Sequence, residues 1–371
     1  TTLERGGAQK ILTEISKTDK NNKIEHLIIC LAYKTNYSEK LIRNGFNIKH
    51  LSGNSIFKFP FVLLNLLRII FIYKPDLINT WLYHSDLIGS ICKIFYPKIP
   101  IIWSVHHASK GLALDSIHTR ISYFILKIIS YFIPEKIVYC SKLAQIVHHK
   151  YGYNKRIGLI INNGVDTNYF KFDKNLKTKF RKKLGIFDDE FLIGIVARFD
   201  PNKGIETFLK IVKEFQQSNV IAKFLMCGDG LTIKNNALKK ILKDYKVLDK
   251  IILLGEIDNV KEIYHAVDIL VCPSKTESFG LVAMEAILCK TRVICSDIDA
   301  LRLIVNPENV CNKNNHIEFF LTIKKYILKK KDIDYFEERR KFISENYSSI
   351  TMKSRYISLY KNIFKDTKLL Y

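Results

Sequence analysis

The chain has 371 residues, 47% of them hydrophobic and 26% charged, and its 59 Lys and Arg against 36 Asp and Glu give a net charge of +23. That length predicts two domains, each large enough for its own core, and the composition is that of a soluble globular protein. The charge admits a nucleic acid, an anionic membrane surface or an anionic substrate as partner, against the plainer reading of a Lys excess that runs through the whole chain. Residues 1–165 are the more basic part, with 22 Lys and Arg against 9 Asp and Glu, or +13, but no nucleic-acid-binding motif accompanies them. The eight Cys form no CxxC or other metal spacing. Those at the ends of apolar runs (Cys30, Cys140, Cys227, Cys272 and Cys295) read as small buried hydrophobes in a reducing cytosol. No signal peptide, low-complexity segment or repeat is visible.

The first residues, TTLERGGA, read as a loop opening a helix over 7–17, so the strand expected ahead of that helix lies outside the sequence. Gly6 and Gly7 at the helix entrance let backbone approach a ligand closely; a simple turn is the competing reading. Strands follow at 25–31, 46–50, 76–80, 100–105, 136–139 and 157–161. Helices alternate with them at 36–44, 58–73, 84–95, 116–132 and 141–150. Such alternation predicts a doubly wound parallel sheet with ligands at the carboxyl ends of its strands. The runs 59–73 and 121–133 are strongly apolar but too short and too interrupted to span a membrane. Each reads first as a buried core helix, and second as an apolar face with basic flanks resting on a membrane surface. The strand IIWSVHHAS delivers His106 to its end, with His107 pointing the other way. Ile160 to Asn168, IINNGVDTN, reads as the close of the first domain.

In the second half, the strand FLIGIVA is followed by RFDPNKG and a helical spacing from Ile205. Arg198 and Lys203 therefore sit on a strand–helix loop. Two cations there suit a diphosphate, Arg as a planar fork and Lys as a point charge, although a solvated basic loop would look the same. FLMCGDG is a further strand, ending in a Gly-rich turn at Gly228. Asp268 to Cys272 is a buried parallel strand that stops at Pro273. The polar residues 274–278 follow, and helical spacing begins near Phe279. The helix start at Ser278, Phe279, Gly280 and Leu281 offers free N–H groups and a partial positive charge to an anion such as a phosphate. Glu277 stands just before that helix. Glu285 stands about two turns into it and can accept two hydrogen bonds from a ribose diol; an ordinary solvated Glu is the alternative. Asp297-Ile298-Asp299 has the DxD form of a metal site. Beyond residue 315 the chain is helical, over 316–328, 332–346 and 350–364.

The spacing Glu277-x7-Glu285, set in PSxxESFGLxxxEA, resembles the EX7E motif of the retaining GT4-type glycosyltransferases, also called group 1. Three further stretches agree in order: GGA at residues 6–8 with Gln9 in place of the family's Glu, NGVD at 163–166 with Asn162 in place of Pro, and RFDPNKG with Ala197 in place of the first Gly. The resemblance covers essentially the whole chain. It implies an α/β fold of GT-B type, two Rossmann-like doubly wound domains facing an interdomain cleft. The expected division is an acceptor-side domain over 1–164, onto which a last helix near 352–371 packs back, and a donor-binding domain over 165–351.

By the same resemblance, the enzyme moves a sugar with retention from a nucleotide-sugar donor, UDP- or GDP-linked, to the hydroxyl of a glycan or lipid-linked acceptor. The implied setting is cell-surface polysaccharide (capsule, O-antigen or lipopolysaccharide) or glycoconjugate synthesis in the cytoplasm, with contact to the inner face of the cytoplasmic membrane as a further expectation. Arg198 and Lys203 would meet the diphosphate, Glu277 and His106 the donor sugar, and Glu285 the ribose. Gly6, Gly7, Gly228 and residues 278–281 would line the donor. No metal or other cofactor is expected, since Arg and Lys take the metal's place in this fold and the DxD lies in a loop; nor is nucleic acid. The competing reading is a non-hydrolysing nucleotide-sugar epimerase of the same architecture.

Overall fold

The computed structural model describes residues 3–4, 6–17, 24–51, 59–106, 117–328 and 334–369. The chain forms two compact units, one made of Thr1–Gly164 with Ser349–Tyr371, the other of Val165–Ser348.

The first unit runs α1 (Gly7–Ser16), β1 (Ile28–Cys30), α2 (Asn36–Arg43), β2 (Ile48–His50), α3 (Phe59–Tyr73), β3 (Ile78–Trp81), α4 (Tyr83–Phe95), β4 (Ile101–Val105), α5 (Ile117–Ile129), β5 (Lys136–Tyr139), α6 (Lys142–Lys150) and β6 (Gly158–Ile160). All its strand pairs are parallel, β1 with β2 in one sheet and β3-β4-β5-β6 in another. Strand β4, apolar except for Ser104, is buried at every residue, as a central parallel strand covered on both faces must be. Local signals set the helix starts. Thr35 and Ser38 form a capping box on α2, and Ser141 accepts from the Ala144 N–H ahead of α6.

The second unit runs α7 (Lys174–Lys183), β7 (Leu192–Val196), α8 (Ile205–Gln216), β8 (Lys223–Cys227), α9 (Asn236–Asp244), β9 (Ile251–Gly255), α10 (Lys261–Ala266), β10 (Ile269–Cys272), α11 (Leu281–Leu288), β11 (Arg292–Ser296), α12 (Asp299–Arg302), β12 (Val310–Cys311), α13 (His316–Leu328) and α14 (Asp334–Asn346). Its six strands form one parallel sheet in the order β12-β11-β10-β7-β8-β9. The order reverses around the adjacent strands β7 and β10, the kind of switch point where open α/β sheets bind ligands. The Asp268 carboxylate joins the unit beneath: it accepts from Lys177 and from the buried Arg181, at 3.0 and 3.1 Å, and from the Leu192 N–H.

The last helix, α15 (Ser349–Leu369), belongs to the first unit. Asn79 donates to the Tyr360 hydroxyl at 2.7 Å, and the Gly164 N–H meets Met352 Sδ at 3.0 Å.

One expectation needs correction. The apolar runs at 59–73 and 121–133 pack into the core on one face only. Val62, Leu66 and Ile70 of α3 are buried, but Phe61, Leu64, Phe71 and Ile72 are exposed; in the second run Tyr123 and Leu126 are buried while Ile121, Phe124, Ile128, Tyr131 and Phe132 are exposed. Both runs carry apolar residues on two opposite stripes, and only one stripe packs. No helix of the described residues is long and apolar enough to cross a membrane.

Candidate functional site

In the second unit, the loops after β7 and β10 are pressed together. A Cβ on Gly204 would lie 2.0 Å from the Pro273 carbonyl oxygen, and Gly204 has φ +69°, so only glycine fits there. The Lys275 N–H donates to the Asn202 carbonyl at 2.7 Å. Asp200 caps the short 3-10 turn at 201–203 by accepting from the Asn202 N–H. These contacts carry Lys203 to Glu277: the ammonium donates to both carboxylate oxygens, at 2.9 and 3.0 Å. The pair is partly shielded, with 23% and 21% of the two side chains exposed.

Arg198 leaves the end of β7 exposed, and no hydrogen bond or ion pair engages it among the described residues. Its loop rests on the one after β8. A Cβ on Gly228, at φ +138°, would come within 1.9 Å of the Ala197 carbonyl oxygen, and the Phe199 N–H donates to the Asp229 carbonyl at 2.7 Å. Gly228 is thus required by close backbone packing beside Arg198.

Helix α11 starts from Gly280 in the left-handed region, φ +88°. The first backbone bonds it receives come from Ala283 and Met284. The N–H groups of Phe279, Gly280 and Leu281 have no partner among the described residues, as the first turn of a helix requires. Phe279 is buried against Tyr347, ring centroids 5.5 Å apart, which fixes the loop just before the helix.

Glu285 is not a solvated surface carboxylate. It is 4% exposed and accepts from the Tyr264 hydroxyl at 2.8 Å. Burial, and then the adjacent carboxylate, push the Tyr264 phenol well above its usual range, so the hydroxyl stays protonated and donating. Tyr264, on α10, had no signal in sequence beyond a hydroxyl on an apolar helix.

In the first unit, Gly6 is the N-cap of α1, and Gly7 opens the helix. His106 ends β4 with its ring stacked on Trp81, at 4.3 Å between centroids and 13° between planes. Neither imidazole nitrogen has a hydrogen-bond partner among the described residues, although Asn163 stands near enough to bias the ring. Burial pushes the His106 pKa down to about 3, so the ring is neutral at physiological pH. In sequence, nothing marks Trp81 beyond an aromatic at a strand end. His107 lies outside the described residues.

The structure thus brings together Arg198, Lys203, Gly228, Glu277 and residues 278–281 at the carboxyl ends of β7, β8 and β10. Glu285 lies inside the same βα unit. His106, Gly6 and Gly7 stand at the ends of elements in the other unit. The DxD is taken up internally: Arg302 Nε donates to Asp297 at 2.7 Å and its Nη1 lies 3.8 Å from Asp299. Among the described residues no group of three or more His, Cys, Asp or Glu could hold a metal ion.

Comparison with known proteins agrees with this architecture. The family model described as glycosyl transferases group 1 matches residues 177–349, and that of glycosyltransferase family 4 matches residues 5–169. An uncharacterized glycosyltransferase of Methanocaldococcus jannaschii is 33% identical over 155 residues, 40% of this chain and 38% of that protein. The O-antigen biosynthesis glycosyltransferase WclY of Escherichia coli is 24% identical over 300 residues, 78% of this chain and 80% of that protein. Among solved structures, Anabaena HepE in complex with UDP-glucose superposes with a TM-score of 0.83 at 17% identity, over 96% of each chain. A glycosyltransferase of Rickettsia africae superposes with a TM-score of 0.76 at 21% identity, over 97% of this chain and 96% of that one. With two Rossmann-like α/β units of the GT-B kind and both family models matched in order, the chain belongs to the GT4-type group 1 glycosyltransferases and is a glycosyl-transferring enzyme.

Proposed function

We propose that the enzyme takes a sugar from a nucleoside diphosphate donor, UDP- or GDP-linked, and transfers it with retention to an acceptor hydroxyl of a growing cell-surface glycan. The observation that carries this reading is the grouping of Arg198, the Lys203–Glu277 pair and the unpartnered N–H groups of residues 279–281 at the switch point of one sheet. Three similar structures are complexes with UDP and glucose, UDP-glucose or UDP, and two relatives are named for O-antigen and capsular polysaccharide biosynthesis.

Breaking the glycosyl–phosphate bond leaves negative charge on the departing diphosphate and positive charge on an oxocarbenium-like sugar. Preorganised charge aimed at the phosphate lowers that barrier most. Arg198 supplies a fork, Lys203 a point charge, and α11 the positive end of its dipole. Glu277 faces the cationic sugar, and Glu285, held by Tyr264, faces the ribose. Neutral His106 serves as a hydrogen-bonding group toward the sugar rather than as a cation. No side chain is assigned as a covalent nucleophile; the acceptor proton passes to the leaving phosphate oxygen on the same face, which retains the configuration. The test is calorimetric titration of UDP and GDP. At least one binds, and Arg198→Ala or Lys203→Ala in the folded protein weakens it at least tenfold. Binding of neither nucleotide, or unchanged binding by both variants, refutes the assignment.

The acceptor side of the reading rests on the exposed stripes of α3 and of the run 121–132. Helix α4 packs against both α3 and α5 and adds exposed Ile94 and Phe95. Exposed Arg68, Lys98 and Arg120 accompany these apolar residues. Apolar side chains would enter the headgroup boundary, and each basic residue would add about 1 kcal/mol near anionic lipid. Sedimentation with anionic vesicles across a salt series tests this. Binding that falls with salt and with Phe71→Ser and Phe132→Ser supports it; no binding at low salt refutes it.

A further inference from the structure

The imidazole of His106 follows β4 with no polar bond to hold it, since neither nitrogen has a partner among the described residues. The last torsion of a histidine side chain is broad, so its ring plane needs another restraint. The restraint present is the indole of Trp81 at the end of β3, 4.3 Å away between centroids and 13° between planes. Stacking of this kind sets a ring plane only if the partner ring is itself held.

Trp81 is held from two sides. Trp81 pairs in register with Ser104, and alternation along the two strands places Asn79, Trp81, Ser104 and His106 on one face of the sheet. Tyr356 and Tyr360 of α15, one turn apart, reach that face. Asn79 donates to the Tyr360 hydroxyl at 2.7 Å, and the Ser104 hydroxyl donates to Asn79 Oδ1 at 2.9 Å. The Ser104 proton is thereby engaged, so the Tyr356 hydroxyl donates to Ser104 Oγ, at 3.4 Å. Tyr356 is 1% exposed, and its ring lies 6.1 Å from that of Trp81 with planes 21° apart. On the backbone side, Leu82 directly after Trp81 has φ +71° and ψ +153°, a region almost reserved for glycine. Its N–H reaches the Ser104 carbonyl at 3.4 Å, and its own carbonyl accepts from Ser85 and Asp86, both at 3.0 Å. Strand β4 and helix α4 together hold this strained turn. Strain of that kind gathers where a neighbouring side chain must be aimed.

We propose that Trp81 is a positioning residue for glycosyl transfer, its indole holding the plane of the His106 ring toward the donor sugar. This rests on the role proposed above for His106. A neutral ring held in one plane presents its nitrogen at one point, and a misplacement of about 1 Å at a reacting centre costs up to about 10²-fold in rate. Releasing the ring therefore lowers kcat more than it raises KM. An indole that stacked on the sugar itself would instead contribute binding with or without His106.

The experiment is a double-variant cycle on the full chain, with Trp81→Leu and His106→Ala. It is read as nucleoside diphosphate release from the UDP- or GDP-sugar that the wild type turns over fastest, beside NMR spectra of histidine-labelled protein without donor. Trp81→Leu alone lowers kcat about tenfold with little change in KM, and Trp81→Phe recovers most of that loss. Added to His106→Ala, Trp81→Leu lowers kcat no further. In the spectra the His106 ring protons, assigned by their loss in His106→Ala, lie upfield because they sit over the indole, and Trp81→Leu moves them downfield. If Trp81→Leu does not fold, Trp81→Met takes its place in the cycle. Losses that multiply, a raised KM that persists in the His106→Ala background, or His106 signals unmoved by removal of the indole overturn the proposal. Wild-type turnover by Trp81→Leu alone overturns only the proposal, whereas wild-type turnover by His106→Ala overturns the role of His106 and the proposal with it.

Discussion

Lys203 Nζ lies 2.9 Å from one carboxylate oxygen of Glu277 and 3.0 Å from the other, across 74 residues of sequence. The cation assigned to the diphosphate thus already has an anion beside it, held by the lock between Gly204 and Pro273.

The two residues act as a unit. Lys203→Ala is expected to lower kcat/KM about 10²-fold, and Glu277→Ala by a similar factor. The double variant loses little more than the worse single one, because each single change already strands the other charge. Steady-state kinetics on the four proteins gives the coupling. Losses that simply multiply would show that the pair is incidental.

His106 does not titrate in the working range. Its pKa of about 3 lies below the ordinary 6.5, so folding keeps the ring neutral. The linked stability is present above about pH 6.5 and is lost as pH falls through that value toward 3. His106→Ala lowers activity without removing any limb of the pH–rate profile between 5 and 9. A limb near 6.5 that vanishes in the variant would contradict the buried, stacked ring on Trp81.

Asp86 gives a second pH dependence, of opposite sign. Its carboxyl is 1% exposed, accepts from Thr80 Oγ1 through Oδ1, and has no partner for Oδ2 among the described residues. Burial raises its pKa from 3.8 to about 8. The folded state therefore holds a proton that the unfolded state releases. This contribution is full below about pH 4 and is lost as pH rises through 8. Above pH 6.5, where His106 is neutral in both states, denaturant titrations from pH 6.5 to 8 show stability declining with pH, and Asp86→Asn flattens the slope. An unchanged slope in the variant would assign the effect elsewhere.

Activity is expected to be independent of divalent metal, because Asp297 already pairs with Arg302, which also lies 3.8 Å from Asp299. Rates before and after chelator treatment should agree. Activity that disappears with chelator and returns with a divalent ion contradicts this.

The strand Ile269–Cys272, its polar loop and the helix from Leu281 were legible because each step changes residue type: an apolar run, Pro273, polar residues, then helical spacing. Arg198 and Lys203 were legible for the same reason. The cover over α3 was not. Val62 and Phe61 are equally apolar, and only packing decides that one is buried and the other exposed. The Tyr264 bond to Glu285 joins α10 to α11 across 21 residues, and periodicity within either helix carries no trace of it.

The most direct test of the proposed chemistry is donor turnover across a panel of UDP- and GDP-sugars, following nucleoside diphosphate release together with the anomeric proton of the freed or transferred sugar by NMR. The prediction is release from at least one donor, with the sugar first appearing in the donor's own anomeric configuration, and a loss of about 10²-fold in Arg198→Ala. A folded protein that releases diphosphate from no donor in the panel, or a sugar that first appears inverted, would contradict it.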